Sequence, residues 1–171
     1  MTTTQNVNQV DLAAVGALVR TIQSRPEAAQ TKWAASVRWT GAFASEAQVR
    51  HFEPISSDEP VTLGGADAAP NPVEQLLGAF GNCLAVGYAA NAALAGIVIR
   101  DLRIDLDGDL DLHTFLGLAD GHAGFSAIRA TVHLDADADA DAVAELHSKV
   151  AATSPVGHTL SATIPVEIKA A

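Results

Sequence analysis

The 171-residue sequence has a single cysteine, Cys83. That excludes an intramolecular disulfide framework and an all-cysteine zinc site. Basic residues are scarce: 10 Lys and Arg stand against 20 Asp and Glu, for a formal charge of −10. A surface of that sign repels phosphate, so neither nucleic acid nor an anionic membrane is expected as a partner. Aromatics make up only 5%, so the core must be mostly aliphatic. No long hydrophobic run is unbroken. The most apolar stretch, Leu76 to Ile99, is interrupted by glycines at 78, 81, 87 and 96 and by Asn82 and Asn91. It reads as a buried helix of a soluble protein, not a membrane span. Met1 to Gln9 is polar, and Asp11 and Arg20 break the apolar segment after it, so no secretion signal is expected and the cytoplasm is the expected location.

Enough apolar residues are present for a core. Hydrophobic residues make up 49%, which excludes disorder over most of the chain. The length fits one compact domain. We read residues 1–30 as an N-terminal extension with one helix and residues 31–171 as the main domain. Within the extension, residues 1–10 read as disordered. Leu12, Val15, Leu18, Val19 and Ile22 then give a helix over Asp11 to Ser24, which Pro26 ends or follows with a short second piece.

Trp33 to Trp39 reads as a strand, Ala47 to Phe52 as its returning partner, and Pro54 to Pro60 as a polar loop. Val61 to Leu63 is a short extended piece. Asn71-Pro72-Val73-Glu74 carries three helix-start signals: a capping Asn, Pro at the first position and Glu three residues after the cap. That helix should run to Leu94 or Ala95 and stop at Gly96. Ile97 to Leu112 alternates as two strands or one strand bent at Gly108, and Ser126 to Leu134 alternates again. A helix over Asp141 to Ala152, a turn at Ser154 to Gly157 and a last strand over Leu160 to Ile168 complete an α+β order with mainly antiparallel pairing.

Few constellations survive comparison with plainer readings. Asp135, Asp137, Asp139 and Asp141 suggest calcium, but an EF-hand loop needs Gly at its sixth and Glu at its twelfth position, where Ala140 and Leu146 stand. A solvated turn favouring the next helix N-terminus fits better. Asp107, Asp109 and Asp111 read as a solvated strand end. No histidine pair has the spacing of a helical zinc motif, and neither a nucleophile elbow nor a phosphate-binding glycine fingerprint occurs. No metal or cofactor is expected. Cys83 remains. It lies mid-helix among Gly78, Gly81 and Gly87, each costing about 1 kcal/mol relative to Ala there. A helix that keeps them has something packed close, either another backbone or a ligand. From composition alone a small buried hydrophobe is the stronger reading of Cys83.

Read as a string, Asn71-Pro72-Val73-Glu74-Gln75-Leu76-Leu77-Gly78-Ala79-Phe80-Gly81-Asn82-Cys83-Leu84 resembles the cysteine helix of the OsmC family, which comprises osmotically inducible protein C, organic hydroperoxide resistance proteins and their relatives. The following Gly96-Ile97, the strand to Gly108-Asp109-Leu110, the strand from Phe125 to Leu134, and Ser154-Pro155-Val156 match in order, so the resemblance spans about residues 33–169. It implies an OsmC-like fold: curved antiparallel sheets around long central helices, in an intertwined homodimer with active sites at the interface. It also implies that Cys83 is the thiolate that attacks a peroxide. The family's second cysteine is replaced by Ser154, and its glutamate position holds Val73, with Glu74 one residue later. The nearest arginines to the hairpin tip are Arg38 and Arg50, one in each hairpin strand.

Three functions are compatible with these residues. In the first, Cys83 reduces organic hydroperoxides or related electrophiles, Arg38 or Arg50 stabilises the thiolate, and an external thiol reductant regenerates it. Ser154, His158, Glu74, Trp39 and Phe80 are the candidate contacts of a small-molecule substrate. In the second, the interface pocket binds a small molecule without redox turnover, with Trp39, Phe52, Phe80 and Tyr88 as its lining. In the third, Cys83 forms a covalent intermediate as a hydrolase or transferase, with His158 as base.

Overall fold

The computed structural model describes residues 7–170. The chain forms two compact units, one comprising Ala13–Leu76 and the other the remainder.

The Ala13–Leu76 unit holds most of α1 (Leu12–Ser24), a 3-10 turn over Pro26–Ala29, and a three-stranded antiparallel sheet in the order β1 (Ser36–Gly41), β2 (Ala44–Gln48), β3 (Ile55–Ser57). The hairpin is tighter than the sequence suggests. Gly41 (φ 135°) and Ala42 (φ 46°) turn the chain, and Trp39 Nε1 donates to Ala42 O at 2.9 Å. The returning strand therefore starts at Ala44, not Ala47, and ends at Gln48, leaving Arg50 outside it. The stretch read as a polar loop supplies β3 instead, because Ile55 pairs with Ala47 and Ser57 with Ser45. Val61–Leu63 is a 3-10 turn, not extended, and Gly64 (φ 92°) closes it. Alternation places Val37, Trp39, Ala47 and Ile55 on one face of the sheet, and Arg38, Glu46 and Gln48 on the other.

The second unit is built on α2 (Pro72–Ala95), whose first turn belongs to the other unit. Its start is the expected capping box. Asn71 N donates to Glu74 Oε2 and Glu74 N to Asn71 Oδ1, both at 2.9 Å. Its end is a Schellman closure: Gly96 is left-handed (φ 72°), its N–H reaches Ala93 O, and Ile97 N–H reaches Ala92 O. By length and apolarity α2 could cross a membrane, but its Leu84, Tyr88, Ala92 and Ala93 are buried in the core.

β4 (Ile99–Leu110) is one continuous strand, paired antiparallel with β5 (Phe125–Ala136). The pairing register shifts between Asp109 and Leu110, next to Gly108. A Cβ at Gly108 would lie 2.7 Å from the Phe125 ring, so the glycine makes room for that ring. Leu102, Ile104, Val132 and Leu134 face inward against Leu84, Tyr88, Ala92, Ile97, Leu146 and Val150. The outward face is charged. Arg129 binds both Asp107 and Asp109, Arg100 binds Asp135, and His133 lies 3.0 Å from Asp105. Exposed pairs of this kind contribute little each.

Asp111 caps α3 (Leu112–Phe115), a short helix the sequence did not suggest. Asp139 caps α4 (Ala140–Thr153) by accepting from Ala142 N at 2.8 Å, so the acidic run serves a helix N-terminus. The expected turn at Ser154–Gly157 is instead the start of α5 (Pro155–Ser161). Residues 163–170 form no strand: the alternation is present, but no neighbour among the described residues pairs with it. At the other end, Val7–Gln9 is an ordered turn, not disordered. The left-handed Asn8 (φ 55°) donates Nδ2–H to Ile97 O and accepts from Ile99 N, both at 2.9 Å. Residues 1–6, read as disordered, lie outside the described residues.

Candidate active site around Cys83

Helical spacing puts Ala79, Asn82, Cys83, Val86, Gly87 and Ala90 on one side of α2. They form one wall of a groove of ≈ 640 Å³. The other wall comes from Val150 and Thr153 of α4, then Ser154 and Pro155 at the corner into α5. Two of the α2 glycines are explained by close neighbours in the same chain. A Cβ at Gly87 would sit 3.0 Å from Val150 Cγ1, and one at Gly81 2.7 Å from Leu106 Cδ1. Gly78 faces open space.

Cys83 is half-buried, and its Sγ lies 3.3 Å from the Oγ of buried Ser154. Ser154 is fixed by its place in the chain: it ends α4 and caps α5, accepting from Gly157 N at 3.1 Å. With Gly157 supplying a proton to Oγ, the hydroxyl's own proton is free to point at sulfur. No charged side chain lines the groove among the described residues.

The other predicted site residues fall elsewhere. His158 lies in α5, outside the groove lining, and its Nε2 donates to Ala152 O at 3.0 Å. Phe80 and Tyr88, with His158 and Ser154, border a second hollow of ≈ 430 Å³ between α2, β5, α4 and α5. Glu74 is engaged in the capping box. Arg38, Trp39, Arg50 and Phe52 belong to the other unit. There Arg38 lies 3.5 Å from Glu46, and Arg50, at φ 51° in the turn after β2, stacks 4.6 Å over the Phe52 ring.

Two groove residues were not foreseen from the sequence. Asn82 adjoins Cys83 and Asn91 lies eight residues on, both within the groove lining, so helical spacing alone could have found them. Among the described residues no group of three or more His, Cys, Asp or Glu is placed to hold a metal.

A long cysteine-bearing helix thus packs against an antiparallel strand pair, with a serine-capped corner at the sulfur. Residues 64–169 match the sequence profile of OsmC-like proteins, and the chain belongs to that family. Solved structures share the fold. An OsmC-like protein from Mycoplasma pneumoniae is 18% identical, with TM-score 0.68 over 77% of this chain and 89% of its own. An organic hydroperoxide resistance protein OsmC from Legionella pneumophila is 15% identical, with TM-score 0.59 over 77% of this chain and 91% of its own. The organic hydroperoxide resistance protein OhrB of Bacillus subtilis is 17% identical, with TM-score 0.50 over 74% and 90%. No curated protein sequence matches the chain.

Proposed function

We propose that this protein is a cytoplasmic, homodimeric thiol redox protein that reduces organic hydroperoxides or related electrophiles through Cys83. The observation that carries the reading is the half-buried Cys83 Sγ, open to an apolar groove and 3.3 Å from the Ser154 hydroxyl. Family membership supports it, as do the hydroperoxide-resistance names of the Legionella and Bacillus neighbours. The thiolate attacks one oxygen of the hydroperoxide. The O–O bond breaks, an S–O bond forms, and the alkoxide leaves as an alcohol after taking a proton. Ser154 cannot close a disulfide, so an external thiol condenses with the sulfenic acid, releasing water. A second thiol then frees Cys83 and leaves as a disulfide.

Homodimerisation is supported by the apolar surface each chain leaves open. Val86 on α2 is 70% exposed, Trp39 on β1 72%, and Ile168 in the strand-patterned tail 93%.

The test is Cys83 alkylation across pH, repeated after stoichiometric cumene hydroperoxide. Loss of the free Cys83 thiol on peroxide addition is the expected result. A thiol slow at every pH below about 9 and indifferent to peroxide overturns the proposal.

A further inference from the structure

The hollow between α2, β5, α4 and α5 shares only Ser154 with the Cys83 groove. Its apolar walls are Phe80, Leu84, Ala130, Val132 and Ala151. Its ≈ 430 Å³ falls in the range of small-molecule sites, about 300–1,000 Å³. It also holds a polar pair that the proposed redox cycle does not use: Tyr88 Oη lies 2.5 Å from His147 Nδ1, with the two rings edge to face.

The direction of that hydrogen bond follows from burial. Tyr88 is 4% exposed, and His147 is its sole hydrogen-bond partner among the described residues. If Nδ1 carried the proton, the phenol hydrogen would be left buried and unpaired, at a cost avoided when it donates to Nδ1. Burial pushes the phenol above its ordinary pKa, so the hydrogen is retained. With Nδ1 accepting, the imidazole proton sits on Nε2. That N–H has no partner among the described residues, on a ring that borders the hollow.

We propose that this hollow is a second binding site, for a small uncharged molecule with an apolar body and one oxygen acceptor that takes the His147 Nε2–H. The absence of charge on the ligand follows from the lining, which contains no Lys, Arg, Asp or Glu. His158, the other imidazole there, is held by Ala152 O. A carboxylate would lose its water without gaining a fixed cation. A medium-chain ketone or alcohol fits the volume and the single donor. The site does not use the Cys83 thiol, although Ser154 borders both hollows.

The experiment is an NMR titration of the full chain with 2-octanone, read at the His147 ring nitrogens and the Tyr88 ring, with octanoate as charged comparator. Saturable shifts with 2-octanone, binding at least about tenfold weaker for octanoate, and 2-octanone binding retained in Cys83→Ala are expected. Replacing both partners in Tyr88→Phe/His147→Phe leaves no buried polar orphan and should weaken binding about fivefold to tenfold. Ala151→Leu, at an exposed α4 position that keeps the fold, should fill the hollow and abolish binding. The proposal is overturned if 2-octanone moves no resonance of the hollow up to its solubility limit, if its shifts survive Ala151→Leu, or if octanoate binds as tightly.

Discussion

Cys83 Sγ and Ser154 Oγ lie 3.3 Å apart although 71 residues separate them in sequence. Serine thus occupies the place from which a second sulfur could reach the first. Ser154→Cys should turn a one-cysteine protein into a two-cysteine one. On addition of one equivalent of cumene hydroperoxide, both free thiols should disappear and the intact mass should fall by the two hydrogens of an intramolecular disulfide. Persistence of two titratable thiols would show that the corner between α4 and α5 cannot bring the sulfurs together.

Gly87 lies against Val150, which is 2% exposed and β-branched, so the neighbour has little freedom to move. Ala in place of Gly gains about 1 kcal/mol of helix propensity. Overpacking of about 1–3 kcal/mol opposes it. Gly87→Ala should therefore lower stability by about 1 kcal/mol in urea unfolding, whereas the same change at an open helical glycine would raise it.

The sequence was legible where the signals are local. Asn71, Pro72 and Glu74 announce α2, and Gly96 ends it, because capping is decided within four residues. Ser154-Pro155 carries the same cap-then-proline signature on a smaller scale, yet the alternation of Leu160 to Ile168 points to a strand more strongly. That alternation is real, but a strand needs a neighbour, and pairing is not written in one segment. The Tyr88–His147 pair and the Cys83–Ser154 contact arise only once α4 packs on α2, so no spacing rule could show them.

Asp58 is a buried carboxylate that accepts from Ala68 N, Glu59 N and Ala66 N. These bonds, that from Ala68 foremost, hold it below the usual carboxylate range. A folded-state pKa below the unfolded value of about 3.9 means stability that is complete above about pH 4 and lost as pH falls through the folded value. Arg129 and Arg100 lower Asp109 and Asp135 in the same direction. The melting temperature should fall as pH drops below about 4, and Asp58→Asn should flatten part of that slope while lowering stability at neutral pH.

Val86 tests the dimer. On a free helix face a change to Glu should cost no more than about 0.5 kcal/mol. Between two copies it would bury an unpaired charge. Sedimentation should give the native protein twice its 17.6 kDa chain mass and Val86→Glu a single chain with unchanged helix content. An unshifted sedimentation coefficient in the variant would remove this face from the interface.

Asn8 holds the start of β4 by two hydrogen bonds that span about ninety residues of chain. Its amide mimics the edge of a missing neighbouring strand, giving Ile97 and Ile99 the partners a sheet would otherwise supply. Such a clasp cannot shut while the ribosome is still making the central helix. Closing so large a loop also carries its entropic cost in one late step. The turn at Val7–Gln9 can thus settle only after α2 has been made, and removing it would leave the entry to the long hairpin to fray first.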